Sequence, residues 1–162
     1  MAKFLLSLHV LAAVIAIGPV TVAASMFPRV ARTALAAGPE SGAAGSVRVL
    51  HRITQVYAAI GVAVPVLGIG TAQVMHLMSS AWIITSLVLT VLAALVVLVL
   101  MLPRQEAVVT ALAGEGEVSS EADGAGALAG LKLLTMSTGL FSLLWAVVTV
   151  LMVVRPGSST HA

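Results

Sequence analysis

ITQVYAAIGVAVPVLGIGTAQVMHLMSSAWIITSLVLTVLAALVVLVLMLP, residues 53–103, carries no Asp, Glu, Lys or Arg over 51 consecutive positions. A helix needs about 20 apolar residues to cross the hydrocarbon core of a bilayer. The run is long enough for two crossings and a turn. His76-Leu77-Met78-Ser79-Ser80 supplies the turn, and its shortness makes the two helices antiparallel neighbours. Two more uncharged windows lie outward of this run, Phe4 to Pro28 and Leu133 to Val154. The chain thus reads as an all-α, integral membrane four-helix bundle, one domain over residues 1–162, with spans at about 4–27, 53–74, 81–102 and 133–154.

Composition supports the same reading. Apolar residues make up 60% of the chain and charged residues 9%, against roughly 25% charged in a soluble domain. So few charges cannot cover a water-facing surface. The length of 162 residues leaves room for one bundle and no separate soluble domain. The absence of cysteine excludes disulfides, thiolate-held Fe–S clusters, covalent c-type haem and thiol redox chemistry. The excess of basic residues is small and unclustered, so no nucleic-acid partner is expected. The expected partners are the lipid bilayer and, through helix packing, other membrane subunits or a second copy.

Basic residues set the orientation. Segments 28–52 and 103–132 hold Arg29, Arg32, Arg48, Arg52, Arg104 and Lys132, while Lys3 and Arg155 lie toward the opposite side. Loops 28–52 and 103–132 are therefore expected in the cytoplasm, both termini outside, and the chain in the cell inner (plasma) membrane as a multi-pass protein. A rival reading makes the first span a cleaved leader, with Val22-Ala23-Ala24 before Ser25 as the small-residue site. Its apolar stretch exceeds the usual leader core of about 7–15 residues. Ala34 to Ser46, rich in Ala, Gly and Ser, reads as a flexible loop. Gln105 to Leu112 can extend the third helix. Glu115, Glu117, Glu121 and Asp123 read as a solvated acidic loop, and Pro156 to Ala162 as a disordered tail.

In lipid, helices associate through small residues and interhelical hydrogen bonds. Ala58, Gly61, Pro65, Gly68, Ala72 and His76 recur at three and four in the second span, on one face. Pro65 removes a backbone donor and predicts a kink. The first span carries His9, Ala12, Ala13, Ala16, Val20 and Ala23, with Gly18-Pro19 predicting a second kink. In the fourth, Thr135, Thr138, Ser142, Trp145 and Thr149 form an expected inner polar stripe. Thr85, Ser86 and Thr90 mark the inner side of the third. Trp82 reads as an interface anchor and Trp145 as a packing residue.

Ionisable groups inside spans are functional candidates, and here they are histidines. His9 and His76 each fall on a small-residue stripe at the same side of the membrane. Two facing imidazoles would suit a b-type haem or a metal ion, while the plainer alternative is bonding to carbonyls or water. His51 beside Arg52 reads as a headgroup-facing residue, and His161 lies in the tail. Met75 and Met78 flank His76, and soft sulfur suits Cu(I), but helix spacing does not converge them on one point. No catalytic residue stands out. No span carries the carboxylate that coupled transporters use, and no nucleophile–base pair or phosphate-cradling loop occurs. Gln55, Gln73 and Tyr57 read as structural.

Lys3-Phe4 followed by Leu8-His9-Val10-Leu11 and Gly18-Pro19, then Pro65 with Gly68 and Gly70, Trp82-Ile83, and the closing Leu151-Met152-Val153-Val154-Arg155-Pro156-Gly157 together resemble the DUF2269 family of small bacterial integral membrane proteins. The resemblance covers nearly the whole chain and implies the four-span architecture without a biochemical activity. The opening Lys3 and His9 are also similar to the first helix of HemJ-type protoporphyrinogen oxidases and of CopD-type copper-resistance proteins. That similarity implies His9 as a ligand. The leading expectation is a non-enzymatic accessory or scaffold subunit. The alternatives are a haem- or metal-binding redox protein using His9 and His76, and an uncoupled small-solute transporter.

Overall fold

The structure is a computed structural model that describes residues 1–113 and 121–156, with side chains given outside 121–128. Among the described residues every regular element is helical: α1 (Ala2–Ala37), α2 (Gly42–Gly61), α3 (Ala63–Val74), α4 (Ala81–Leu95), a π-helical segment (Val96–Met101), α5 (Leu102–Ala113) and α6 (Glu121–Val154). They make four rods, since α2 runs into α3 and α4 runs through the π segment into α5. Each rod has a stretch long and apolar enough to cross a membrane. Only 11 to 28% of the residues in those stretches are buried. Phe4, Val14, Leu143 and Val153 are among the many large apolar side chains facing outward. A water-soluble monomer does not sustain apolar surface on that scale.

The rods are longer than the uncharged windows. At 1.5 Å per residue, α1 is about 54 Å long, well beyond the roughly 30 Å hydrocarbon core. The segment from 28 to 52, expected as a loop, is mostly helix. Charge marks where apolar solvent ends, not where a helix ends. The stop is set by Gly38, at φ 89°, and the restart by Ser41, whose Oγ accepts from the Ala44 N–H at 3.3 Å. Arg29, Arg32, Arg48 and Arg52 ride on exposed faces of these extensions. The third rod likewise continues to Ala113. Glu115, Glu117 and residues 157–162, with His161, lie outside the described residues. Glu121 and Asp123 stand in the first turns of α6 rather than in a loop.

Prolines leave different marks. The second rod is interrupted at Val62, three residues before Pro65. The proline lacks the N–H that Gly61 O would accept, and its ring crowds that carbonyl. Helix α1 runs uninterrupted through Pro19 and Pro28, so neither proline ends it. Before Pro103 the helix widens: the Leu102 N–H reaches back five residues to Val97 O, the single-turn π form that inserts one residue.

Helix α1 is the hub. It packs along α2, α3 and α6, while α4 follows α6 and α5 meets α2. Near the loops the rods close on Phe27, Ala31, Ala34, Ala44, Val47, Met101 and Leu131, all buried. At the opposite end lie the N-terminus, the 75–80 turn and Arg155, so both ends of the described chain share that side with the short turn.

Candidate functional site

Beyond the Val62 break the bundle opens. Helix α3 stays against α1 and α4 stays against α6, so α3 and α4 hardly touch although a short turn joins them. Between them lies a partly open cavity of about 600 Å³. Its wall on α1 runs from Leu6 to Gly18, a rise of about 18 Å. It is elongated along the bundle, from a rim at Leu77, Met78 and Arg155 to a floor at Ile17, Thr90 and Trp145. A smaller void of about 210 Å³ shares Ile17, Pro65, Thr90 and Trp145 and continues it toward the break.

The lining is overwhelmingly apolar, which makes its few polar groups informative. His9 is half-buried in the α1 wall, and its Nδ1 lies 2.9 Å from Val64 O. A carbonyl only accepts, so Nδ1 carries the hydrogen and Nε2 of the neutral ring keeps its lone pair. No partner for Nε2 occurs among the described residues. Gly68 makes the seat. A Cβ there would stand 3.0 Å from His9 Cε1 and 3.4 Å from Nδ1, so the ring occupies the space a side chain would take. About two turns deeper, Gly61 faces Ala16 with room for ordinary contact at 3.9 Å.

The threonines of the wall are self-satisfied. Thr71, Thr90 and Thr149 donate to Leu67 O, Ser86 O and Trp145 O, each four residues back. Both tryptophans of the chain line the cavity. Trp145 is held at the floor edge-on to Phe141, with ring centroids 6.5 Å apart. Trp82, expected at the membrane interface, is 6% exposed. Its ring lies under the Arg155 guanidinium at 6.0 Å, a cation–π contact. Trp82 Nε1 and Ser86 Oγ, one turn apart on α4, are buried without a partner among the described residues.

The two candidate histidines are not brought together. His76 is exposed in the turn in a left-handed conformation, φ 56°. The His9 ring lies against Gly68, eight residues and about 12 Å of helix rise earlier. Of the turn's neighbours, Met75 and Met78 line the cavity and His76 does not. His51, expected to face headgroups, is buried at the closed end, with Nδ1 3.2 Å from Gln105 Oε1. Gln105 Nε2 has no partner among the described residues. No group of three or more His, Asp or Glu suited to a metal ion occurs among them either.

The packing residues divide by depth. Ala16 and Ala72 are buried, whereas Ala12, Gly61, Pro65 and Gly68 are half-buried. The polar stripe expected on α6 is only partly inward. Thr138 is buried and its hydroxyl lies 2.9 Å from Leu134 O and 3.3 Å from Ala24 O on α1. Ser142 is half-buried, while Thr135 and Thr149 are exposed and bond within their own helix. Ser137 takes an inward place instead. Sequence reasoning missed Trp82 as a wall residue, yet it stands four positions before Ser86, already an inner marker. The Val64 carbonyl had no signal, because every residue has one. No protein-family model matches the chain, and no curated protein or solved structure shows significant similarity to it.

Proposed function

We propose that this chain is a non-enzymatic multi-pass membrane protein that holds an apolar molecule in the cavity between α3 and α4, as an accessory component of its membrane. One observation carries the reading: an elongated cavity of about 600 Å³ with an apolar wall and a few fixed polar groups. Binding sites for small molecules commonly have that size and that mix. The outward apolar faces of the four rods support lipid as the surrounding solvent. Basic residues on the loop side support a cytoplasmic placement of that end. Native mass spectrometry of protein released gently from detergent tests the reading. A retained apolar molecule, lost when Gly68 and Ala72 are enlarged to Leu, is the expected result. Protein that flies empty under conditions preserving other lipid adducts would overturn it.

A second reading has one observation in its favour. Metal-bound histidines characteristically donate their other ring N–H to a carbonyl or carboxylate, and His9 donates to Val64. A b-type haem or a metal ion held by His9 with Met75 or Met78 would use that arrangement. A Soret band in the purified protein that vanishes in His9→Ala supports this reading, and a featureless visible spectrum after haem supplementation removes it.

A further inference from the structure

Resting on the cavity as a binding site, we propose that its occupant is an apolar molecule bearing a hydroxyl, and that His9 selects it by accepting the hydroxyl hydrogen at Nε2. The Val64 carbonyl fixes a hydrogen on Nδ1, so in the neutral imidazole the remaining ring nitrogen offers a lone pair. Thr71 and Thr90 direct their hydrogens to carbonyls of their own helices. The middle of the wall therefore presents a fixed acceptor and little to satisfy a carbonyl or ether oxygen. A hydroxyl buried against the apolar lining would lose its bonds to water without replacement. At His9 it keeps one. From His9 to Ile17 the α1 wall descends eight residues, about 12 Å, through apolar lining that receives the rest of the molecule.

Gly68 adds a second, independent dependence. The imidazole sits where an alanine methyl would project, 3.0 Å from Cε1. Gly68→Ala presses on the ring, which must give by a few tenths of an ångström, and so disturbs the bond to Val64. Nε2 then shifts from its seat, although the imidazole remains in the chain. Selectivity for the hydroxyl thus needs both the histidine and the glycine opposite it.

Tryptophan fluorescence provides the test, because both tryptophans of the chain line the cavity. The full chain in nanodiscs is titrated with a mid-chain-brominated long-chain alcohol and, separately, with its methyl ether. Saturable quenching by both is expected, with the alcohol about threefold to tenfold tighter, the worth of one hydrogen bond. His9→Phe should bring the ratio near one, and Gly68→Ala should lower it without removing the ring. Equal affinities in the wild type, or a ratio that survives both substitutions, would overturn the proposal while the cavity reading stands. If neither probe gives saturable quenching, the cavity reading itself falls.

Discussion

The two ends of the bundle are built from the same helices but packed by different rules. The loop end closes tightly, with Phe27, Ala31, Ala34, Ala44, Val47, Met101 and Leu131 all at 0% exposure, and shows arginines outward. The end carrying the termini shows Val, Leu and Phe outward and leaves a cavity inside. On the membrane reading, the extensions near the loops stand in water, where burying apolar surface drives closure. The other end stands in lipid, which solvates Leu as well as a neighbouring helix does, so only close packing and hydrogen bonds hold rods together. A cavity survives more easily where apolar contact brings no large gain over lipid.

The largest effect should come from hollowing the closed end. Phe27→Ala removes a ring with no exposed surface and is expected to cost about 3–5 kcal/mol in mixed-micelle unfolding, whereas Leu87→Ala in the cavity wall should cost far less. Similar losses at both sites would break the comparison. Next comes overfilling: Ala44→Leu, against α1, should cost about 1–3 kcal/mol by the same measurement. Enlarging Gly70, which has open space around it, should stay within about 0.5 kcal/mol. Gly68→Ala should cost up to about 1 kcal/mol through the disturbed His9–Val64 bond, and most of that cost should vanish in a His9→Ala background. Additivity of the pair, measured as a double-mutant cycle, would show that the ring and the glycine are not coupled. The smallest effect belongs to Gly18→Ala, with nothing within 4 Å. No loss is expected there, and a gain of a few tenths of a kcal/mol from helix propensity would appear as a slightly raised unfolding midpoint.

What was legible follows the strength of the physical constraint. Four apolar windows must become helices in lipid, because no other local structure satisfies its own backbone. Pro65 was legible as a disturbance of the second rod, which breaks at Val62, but nothing local in the sequence separates it from Pro19 and Pro28, through which α1 continues. The inward polar face of α6 was not legible, since a serine or threonine can bond four residues back from either side of a helix. Thr135 and Thr149 do so while exposed, and Thr138 while buried. His51 and Gln105 were hidden for another reason. They meet only because the third rod extends past Pro103 and packs against α2, and no spacing in the sequence announces a contact across 54 positions. The separation of His9 from His76 depends on where the helix ends, a boundary that periodicity alone does not fix to within a turn.

The widened turn at Val96–Met101 has a consequence for the third rod as a whole. Its inward positions run Ala93, Val97, Met101, Gln105, three successive steps of four. In a regular α-helix each residue advances by about 100°, so three such steps would wind some 120° off the starting azimuth. The one surplus residue of the π turn absorbs nearly all of that drift. Deleting a single residue there would straighten the helix and swing everything beyond it around the axis, carrying Gln105 out of reach of His51. The π turn thus sets the angular alignment between the two lengths of the third rod.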